Sequence, residues 1–290
     1  MKNFLHPYGN IDVLGWYNKI SPYLQIFLGK KEIASKIIGE NFVLLKRGTK
    51  NPPLYIKDFE EIDEYFLKLR AEHHLDEVKN QLNEKQILLR KYFVPRKLVN
   101  LLYACNNEYG NSIDRIFIDI DRQNNSADDA RKATNELIKI ILSDKQFNDL
   151  VDFWLLTLWT GASFHIYILL KKSIDHIFYD KYLSYGKGKE ESFISKRAAE
   201  VSKVTKLNVL AAHERKKWAI ILDSSNTPAG KLARSPFSLH IKDSKTIDGI
   251  SVPVSQKELS DTKLINKLKK LTPKTIRKNI DYYSSLINNV

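Results

Sequence analysis

The run Ile116-Phe-Ile-Asp-Ile-Asp121 constrains this chain more than any other stretch, because it is apolar enough to be a buried strand and yet ends in two carboxylates. Side chains alternate along a strand, so Ile116, Ile118 and Ile120 share one face, and Phe117, Asp119 and Asp121 share the other. The two acids stand roughly 6–7 Å apart on that face. Like charges so placed repel unless a cation lies between them, and a divalent ion is the usual solution. The plain alternative is a half-buried edge strand whose polar side happens to carry acids.

With 290 residues, 43% of them hydrophobic, the chain can bury a substantial core as one domain or two interlocked modules. A formal net charge of +13 predicts attraction to polyanions, with nucleic acid or phosphorylated small molecules as partners and a membrane surface as the competing explanation. No apolar run reaches the roughly 18–20 residues that span a bilayer, and the first residues lack a cleavable apolar leader. The expectation is a soluble intracellular protein of the cytoplasm, nucleoid or nucleus. Cys105 is the only cysteine, so neither an intrachain disulfide nor a cysteine-rich structural zinc site is expected.

Periodicity predicts an α/β or α+β chain. Helical spacing covers Asp12 to Leu28, limited by Pro22; Lys31-Glu-Ile33 and Phe42-Val-Leu-Leu45 read as short strands; residues 58–93 read as one or two amphipathic helices. After the acid-bearing strand comes a helix from about Ala127 to Leu142, with Ser126 as N-cap and Asp128 and Asp129 in its first turn. Phe153–Trp159 and Phe164–Leu170 form a hairpin, residues 173–206 read as mainly helical around Gly186-Lys-Gly188, and Trp218–Leu222 is a strand ending in Asp223. The last 35 or so residues are lysine-rich, with two helices parted near Pro273.

Asp223 ends its strand as Asp119 and Asp121 end theirs, and three such acids could converge on one or two Mg²⁺ or Mn²⁺ ions. Asp followed by Ser-Ser-Asn is equally an ordinary strand-to-turn transition. Ser163 and His165 share one side of the hairpin, where a hydroxyl and an imidazole could hold phosphate. In Arg234-Ser-Pro-Phe-Ser-Leu-His-Ile-Lys242, the apolar Phe237, Leu239 and Ile241 alternate with Ser238, His240 and Lys242, and Arg234 adds a planar cation suited to phosphate oxygens. A half-exposed strand would carry the same pattern. Together, these residue types fit nucleotidyl transfer assisted by two metal ions.

At these residues the sequence resembles the archaeo-eukaryotic primase superfamily, above all the small catalytic subunit of DNA primase. Ile116–Asp121 is similar to its first acidic motif, Ser163-Phe-His165 to its second, Asp223 to its third metal-binding acid, and Leu232–Lys242 followed by Gly249–Pro253 to its triphosphate-contacting segment. Lys31-Glu-Ile33 with Lys46-Arg47 resembles an amino-terminal family segment. The resemblance implies metal binding by Asp119, Asp121 and Asp223, and nucleotide contacts from Ser163, His165, Arg234, Ser238, His240, Lys242, Lys46 and Arg47. It implies a catalytic core over residues 1–255, made of an N-terminal α/β unit (about 1–100) and an RRM-like sheet module (about 101–255), with a basic helical region over 256–290. The hairpin Thr160-Gly-Ala-Ser-Phe-His165 departs from the family pattern in lacking a second glycine and a basic residue, and no zinc-binding knob is encoded.

The function implied is template-directed synthesis or extension of primers on single-stranded DNA from NTPs, dNTPs or both, with a large primase subunit or another replication protein as possible partner. An end-joining repair polymerase shares the acidic motifs and the missing knob. A catalytically inert nucleic-acid-binding protein is the rival from a different class, and a phosphohydrolase using Asp119 as nucleophile is disfavoured by the Arg-Gln-Asn that follows Asp121.

Overall fold

The computed structural model describes residues 4–5, 9–10, 12–48, 51–95, 97–107, 110–186, 188–213, 216–241 and 243–288. They form a mixed α+β structure that divides into two compact units, neither continuous in sequence. The first comprises Met1–Ala104, Arg234–Ser251 and Leu271–Ser284; the second comprises Cys105–Ala233, Val252–Lys270 and Ser285–Val290.

In the first unit Asp12 caps the helix Val13–Ile20 by accepting the Gly15 N–H at 2.8 Å. The helix stops where Pro22 enters, and Ser21–Leu24 tightens into a 3₁₀ turn before Gln25–Leu28 resumes. The strand Glu32–Ile38 is longer than expected and central: it pairs antiparallel with Val43–Lys46, with Leu54–Tyr55 and with Leu98–Ala104. Leu98–Ala104 is not among the expected elements, because a run apolar on both faces apart from Asn100 lacks the alternation that marks a half-buried strand. The helical stretch 58–93 resolves into Glu64–Glu72 and Glu84–Tyr92 with short turns between.

The polar alternation expected from Phe237 to Lys242 is cut short. Only Leu239–Ile241 is a strand, paired with Ile247–Ile250. Phe237 adopts a left-handed backbone (φ 59°) with its ring fully buried. That twist turns Ser238 inward, where its Oγ accepts the Leu101 N–H at 2.9 Å. The Tyr17 hydroxyl donates to the Val99 carbonyl at 2.6 Å and accepts the Leu239 N–H at 3.2 Å, joining the helix to both strands.

The second unit is built on a six-stranded sheet in the order Val209–Ala211, Ile220–Asp223, Ser112–Asp121, Phe164–Asp175, Phe153–Trp159, Val252–Val254. The first pair is parallel and the other neighbours are antiparallel. The hairpin expected at 153–170 is present, and its second strand runs on to Asp175 because Ser112 and Ile113 extend the partner strand upstream of Ile116. Residues 173–206 are therefore less helical than expected, with a π-helical turn at Tyr179–Leu183 and a helix at Phe193–Thr205. The helix Ala127–Ser143 has the expected cap: Ser126 Oγ accepts the Asp129 N–H and the Asp129 carboxylate accepts the Ser126 N–H. It buries Ala130, Ala133, Leu137, Ile138 and Ile141.

The carboxy-terminal stretch forms short helices at Gln256–Leu259, Leu264–Leu268, Pro273–Lys278 and Ile280–Asn288, more pieces than the two expected. Among the described residues no helix is long and apolar enough to cross a membrane.

Candidate active site

Register brings the acids together. Asp223 is the Cα partner of Asp119 on the neighbouring strand, and Asp119 is in turn the partner of His165 on the strand beyond. Directly paired residues share a face with Cβ atoms about 4.5–5.5 Å apart. Asp223, Asp119 and His165 thus make one polar row across three strands, and Asp121 stands two residues from Asp119 on the same face. Directly opposed like charges destabilise a sheet.

His165 Nε2 lies 3.3 Å from Asp119 Oδ1, and the imidazole is held edge-on by Phe117, with ring centroids 4.9 Å apart. Phe117 and Tyr167 fill the next row of the face and are buried. The Asp119 carboxylate remains about one-third exposed, at 36%. It is the open member of the row.

Asp223 is more enclosed. Its Oδ1 accepts the Tyr185 hydroxyl at 2.5 Å and the Ser225 N–H at 2.7 Å, and its Oδ2 lies 3.0 Å from His213 Nδ1. Burial pushes this carboxyl upward, but the hydrogen bonds from Ser225, Tyr185 and His213 outweigh it and leave the pKa below the ordinary carboxylate value. Tyr185 is driven the other way, upward, first by burial and then by its bond to the Asp223 carboxylate. Asp121 accepts the Gln123 N–H at 3.1 Å and the Gln123 side-chain amide at 2.6 Å, with Gln123 itself left-handed at φ 48°. Asp121 and Asp223 therefore each close an Asx-type turn at a strand end, the local role foreseen for Asp223 in the sequence.

Ser163 is buried, and its Oγ donates to the Ile120 carbonyl. Its N–H donates to Thr160 Oγ1 at 3.0 Å, and the Thr160 N–H returns a bond to the Ser163 carbonyl at 2.8 Å. The short Thr160–Ser163 turn is thus closed by its own hydroxyls and tied to the acid strand. Thr227 supplies a further tie: its Oγ1 accepts the Phe117 N–H and donates to the Phe117 carbonyl, standing in for a ladder partner upstream of Asp119.

The remaining expected residues lie in the first unit. Lys46 ends the strand Val43–Lys46 opposite Ser35, and Arg47 follows it. Arg234 Nη1 donates to the Leu239 carbonyl at 3.0 Å, which folds its guanidinium back onto the segment carrying His240. His240 is paired with Gly249. Ser238 spends its hydroxyl on the Leu101 backbone, as above. Lys242 lies outside the described residues.

Tyr185, His213 and Gln123 were not singled out in the sequence. A tyrosine beside Gly186 in a polar loop carries no signal of its own. His213 could have been found by extending the strand Val209–Ala211, whose parallel pairing with Ile220–Asp223 puts the residues after it next to Asp223. Among the described residues no group of three or more His, Cys, Asp or Glu side chains forms a ready-made metal cage.

No protein-family profile matches the sequence, and no curated protein does. Among solved structures the chain is similar to the polymerase domain of Mycobacterium tuberculosis Ligase D in complex with DNA, with a TM-score of 0.54 and 11% identity. The match covers 94% of this chain and 91% of that one. At this identity the likeness is one of fold, and it extends over nearly the whole chain.

Proposed function

We propose that this chain is a metal-dependent nucleotidyltransferase of the primase–polymerase type, which synthesises or extends primers on single-stranded DNA from NTPs or dNTPs. The observation that carries the reading is the register: Asp223 directly opposite Asp119, with Asp121 on the same face, in a chain whose fold is like that of a polymerase domain. Carboxylates so opposed are hard oxygen donors suited to Mg²⁺ or Mn²⁺, and the lowered pKa of Asp223 keeps it ionised at neutral pH. Two bound ions would polarise the α-phosphate and activate the attacking hydroxyl.

In this reading Asp119, Asp121 and Asp223 hold the metal. His165, already beside Asp119, meets the phosphates, and Arg234, His240, Lys242, Lys46 and Arg47 supply the cationic contacts that a triphosphate requires. Ser163 and Ser238, whose hydroxyls are committed to backbone groups, act by shaping the strands that carry His165 and His240. The charge of +13 favours a polyanionic template. A large primase subunit or other replication protein is the partner class that the reading allows.

A second reading is an end-joining repair polymerase, favoured by one observation: the similar structure is the polymerase domain of a ligase. Incorporation of labelled NTPs and dNTPs on single-stranded DNA, with and without a primer and with Mg²⁺ or Mn²⁺, separates the two. Unprimed synthesis lost in Asp119→Ala/Asp121→Ala supports the primase; synthesis from a primer alone supports the repair polymerase or a primase subunit that needs its partner to initiate. No incorporation under any of these conditions rejects both.

A further inference from the structure

Trp218 is 75% exposed, whereas Trp16 and Trp159 are buried. An indole left in water at this level is a large apolar face without a covering partner among the described residues. It is presented rather than loose. The Ala219 N–H donates to the Lys216 carbonyl at 3.0 Å, closing a turn with Trp218 inside it. The Asn208 side-chain amide donates to the Trp218 carbonyl at 3.4 Å, and the Ile220 N–H donates to the Asn208 carbonyl at 2.8 Å, fixing the turn to the start of the Ile220–Asp223 strand. Lys216 and Lys217 directly precede Trp218 in the chain and are both exposed.

The position of this turn follows from the parallel pairing of Val209–Ala211 with Ile220–Asp223, which requires the chain to return along the sheet between them. The return begins with His213 on the Asp223 carboxylate and ends at Lys217, whose carbonyl accepts the Asn124 N–H at 3.3 Å from the loop that follows Asp121. The turn that carries the exposed indole therefore lies beside the loop that follows Asp121.

We propose that the Lys216–Ala219 turn is a docking platform for single-stranded nucleic acid: one unpaired base stacks on the Trp218 indole while the adjoining phosphates meet Lys216 and Lys217. The chemistry is that of sequence-tolerant single-strand binding, an aromatic face for a base beside cations for the backbone. The adjacent lysines favour a polyanion over an apolar protein surface, where their charges would have to be desolvated. The inference deepens the reading above, resting on it for the view that the strand held here runs on toward the acids.

The test is equilibrium binding of a fluorescein-labelled oligo(dT) strand, without nucleotide or metal, to the full chain and to Trp218→Ala, Trp218→Phe and Lys216→Gln/Lys217→Gln. Trp218→Ala is expected to weaken binding about 5- to 160-fold and Trp218→Phe to retain most of the affinity. The double lysine variant should lower the slope of log K against log salt by about 1.4. Quenching of tryptophan emission by unlabelled oligo(dT) should largely vanish in Trp218→Ala. Undiminished affinity and quenching in Trp218→Ala would overturn the platform and leave Trp218 to a protein partner. Trp218-dependent binding by a protein that incorporates no nucleotide would support the platform and remove only the polymerase reading.

Discussion

Asp223 faces Asp119 as its direct cross-strand partner, so the sheet of the second unit holds two carboxylates opposite each other where a sheet ordinarily avoids like charges. The arrangement costs stability, on the order of 0.2–1 kcal/mol, unless a cation offsets it. In metal-free buffer Asp119→Asn should therefore melt about 1–3 °C above the wild type. Mn²⁺ should raise the melting temperature of the wild type and leave that of the variant nearly unchanged. Scanning fluorimetry with EDTA against Mn²⁺ checks both; a wild type indifferent to Mn²⁺ would remove the metal role from these acids.

The Tyr185 hydroxyl is one of the donors that keep the Asp223 pKa low despite burial. In Tyr185→Phe that donor is gone and burial is less opposed, so the Asp223 pKa should rise. The sign for stability follows. A depressed carboxyl contributes stability present above the unfolded pKa and lost as pH falls through the folded one, so the variant has less of this contribution to lose on acidification. Carbon-13 NMR titration of the Asp223 carboxyl in both proteins reads the shift directly, and an unchanged or lower value contradicts the assignment.

Tyr17 is pushed up to about 12, mainly by burial, with hydrogen bonding from Leu239 and Ser238 pulling the other way. A raised phenol contributes stability that is complete below its unfolded pKa, about 10, and is lost as pH rises through the folded value. Tyr17→Phe should flatten the alkaline unfolding curve in that window. At neutral pH it should cost about 1–3 kcal/mol, since the buried Leu239 N–H and Val99 carbonyl lose their partner. Urea melts at pH 7 and pH 11 test the two effects separately.

The strand Val43–Lys46 pairs with Glu32–Ile38 and is otherwise an edge of its sheet among the described residues. Phe42, Val43, Leu44 and Leu45 are all exposed. The Gly39 N–H bond to the Phe42 carbonyl at 2.9 Å sets the alternation of the ladder, so Val43 and Leu45 turn their backbone groups toward the open edge. Such an edge is a template for strand addition. Val43→Lys should reduce concentration-dependent association measured by light scattering, with little change in melting temperature. A wild type already monodisperse at high concentration would contradict this.

The acid strand, the hairpin, the helix behind Ser126 and the placing of Asp119, Asp121 and Asp223 at strand ends were legible because each rests on local pattern: alternation, an N-cap serine with acids in the first turn, a strand-ending acid. What was not legible depends on pairing. Nothing near Leu98–Ala104 announces a strand, because its partner Glu32–Ile38 lies far upstream. The face assigned to Ser238 failed because a left-handed Phe237 breaks the alternation, and a bulky residue there gives no warning. His213 meets Asp223 only through the return of the chain between parallel strands, and Tyr185 reaches it from the loop after the Tyr179–Leu183 turn. The opposition of Asp223 and Asp119 is itself a register fact, which neither segment contains alone.

The scattered membership of the first unit bears on how the protein is born. The bond from the Leu101 N–H to Ser238 Oγ joins positions 137 residues apart. At a translation rate of about 5–20 residues per second, Leu101 is made roughly 7–27 s before the serine that satisfies it. During that interval the second unit's long acid strand and its helix are being synthesised, while the first unit still lacks the two-stranded Leu239–Ile241 and Ile247–Ile250 hairpin. The nascent chain thus carries the Leu101 strand without its Ser238 partner through nearly half of its synthesis, and the first unit, which also takes in Leu271–Ser284, can complete its folding only late.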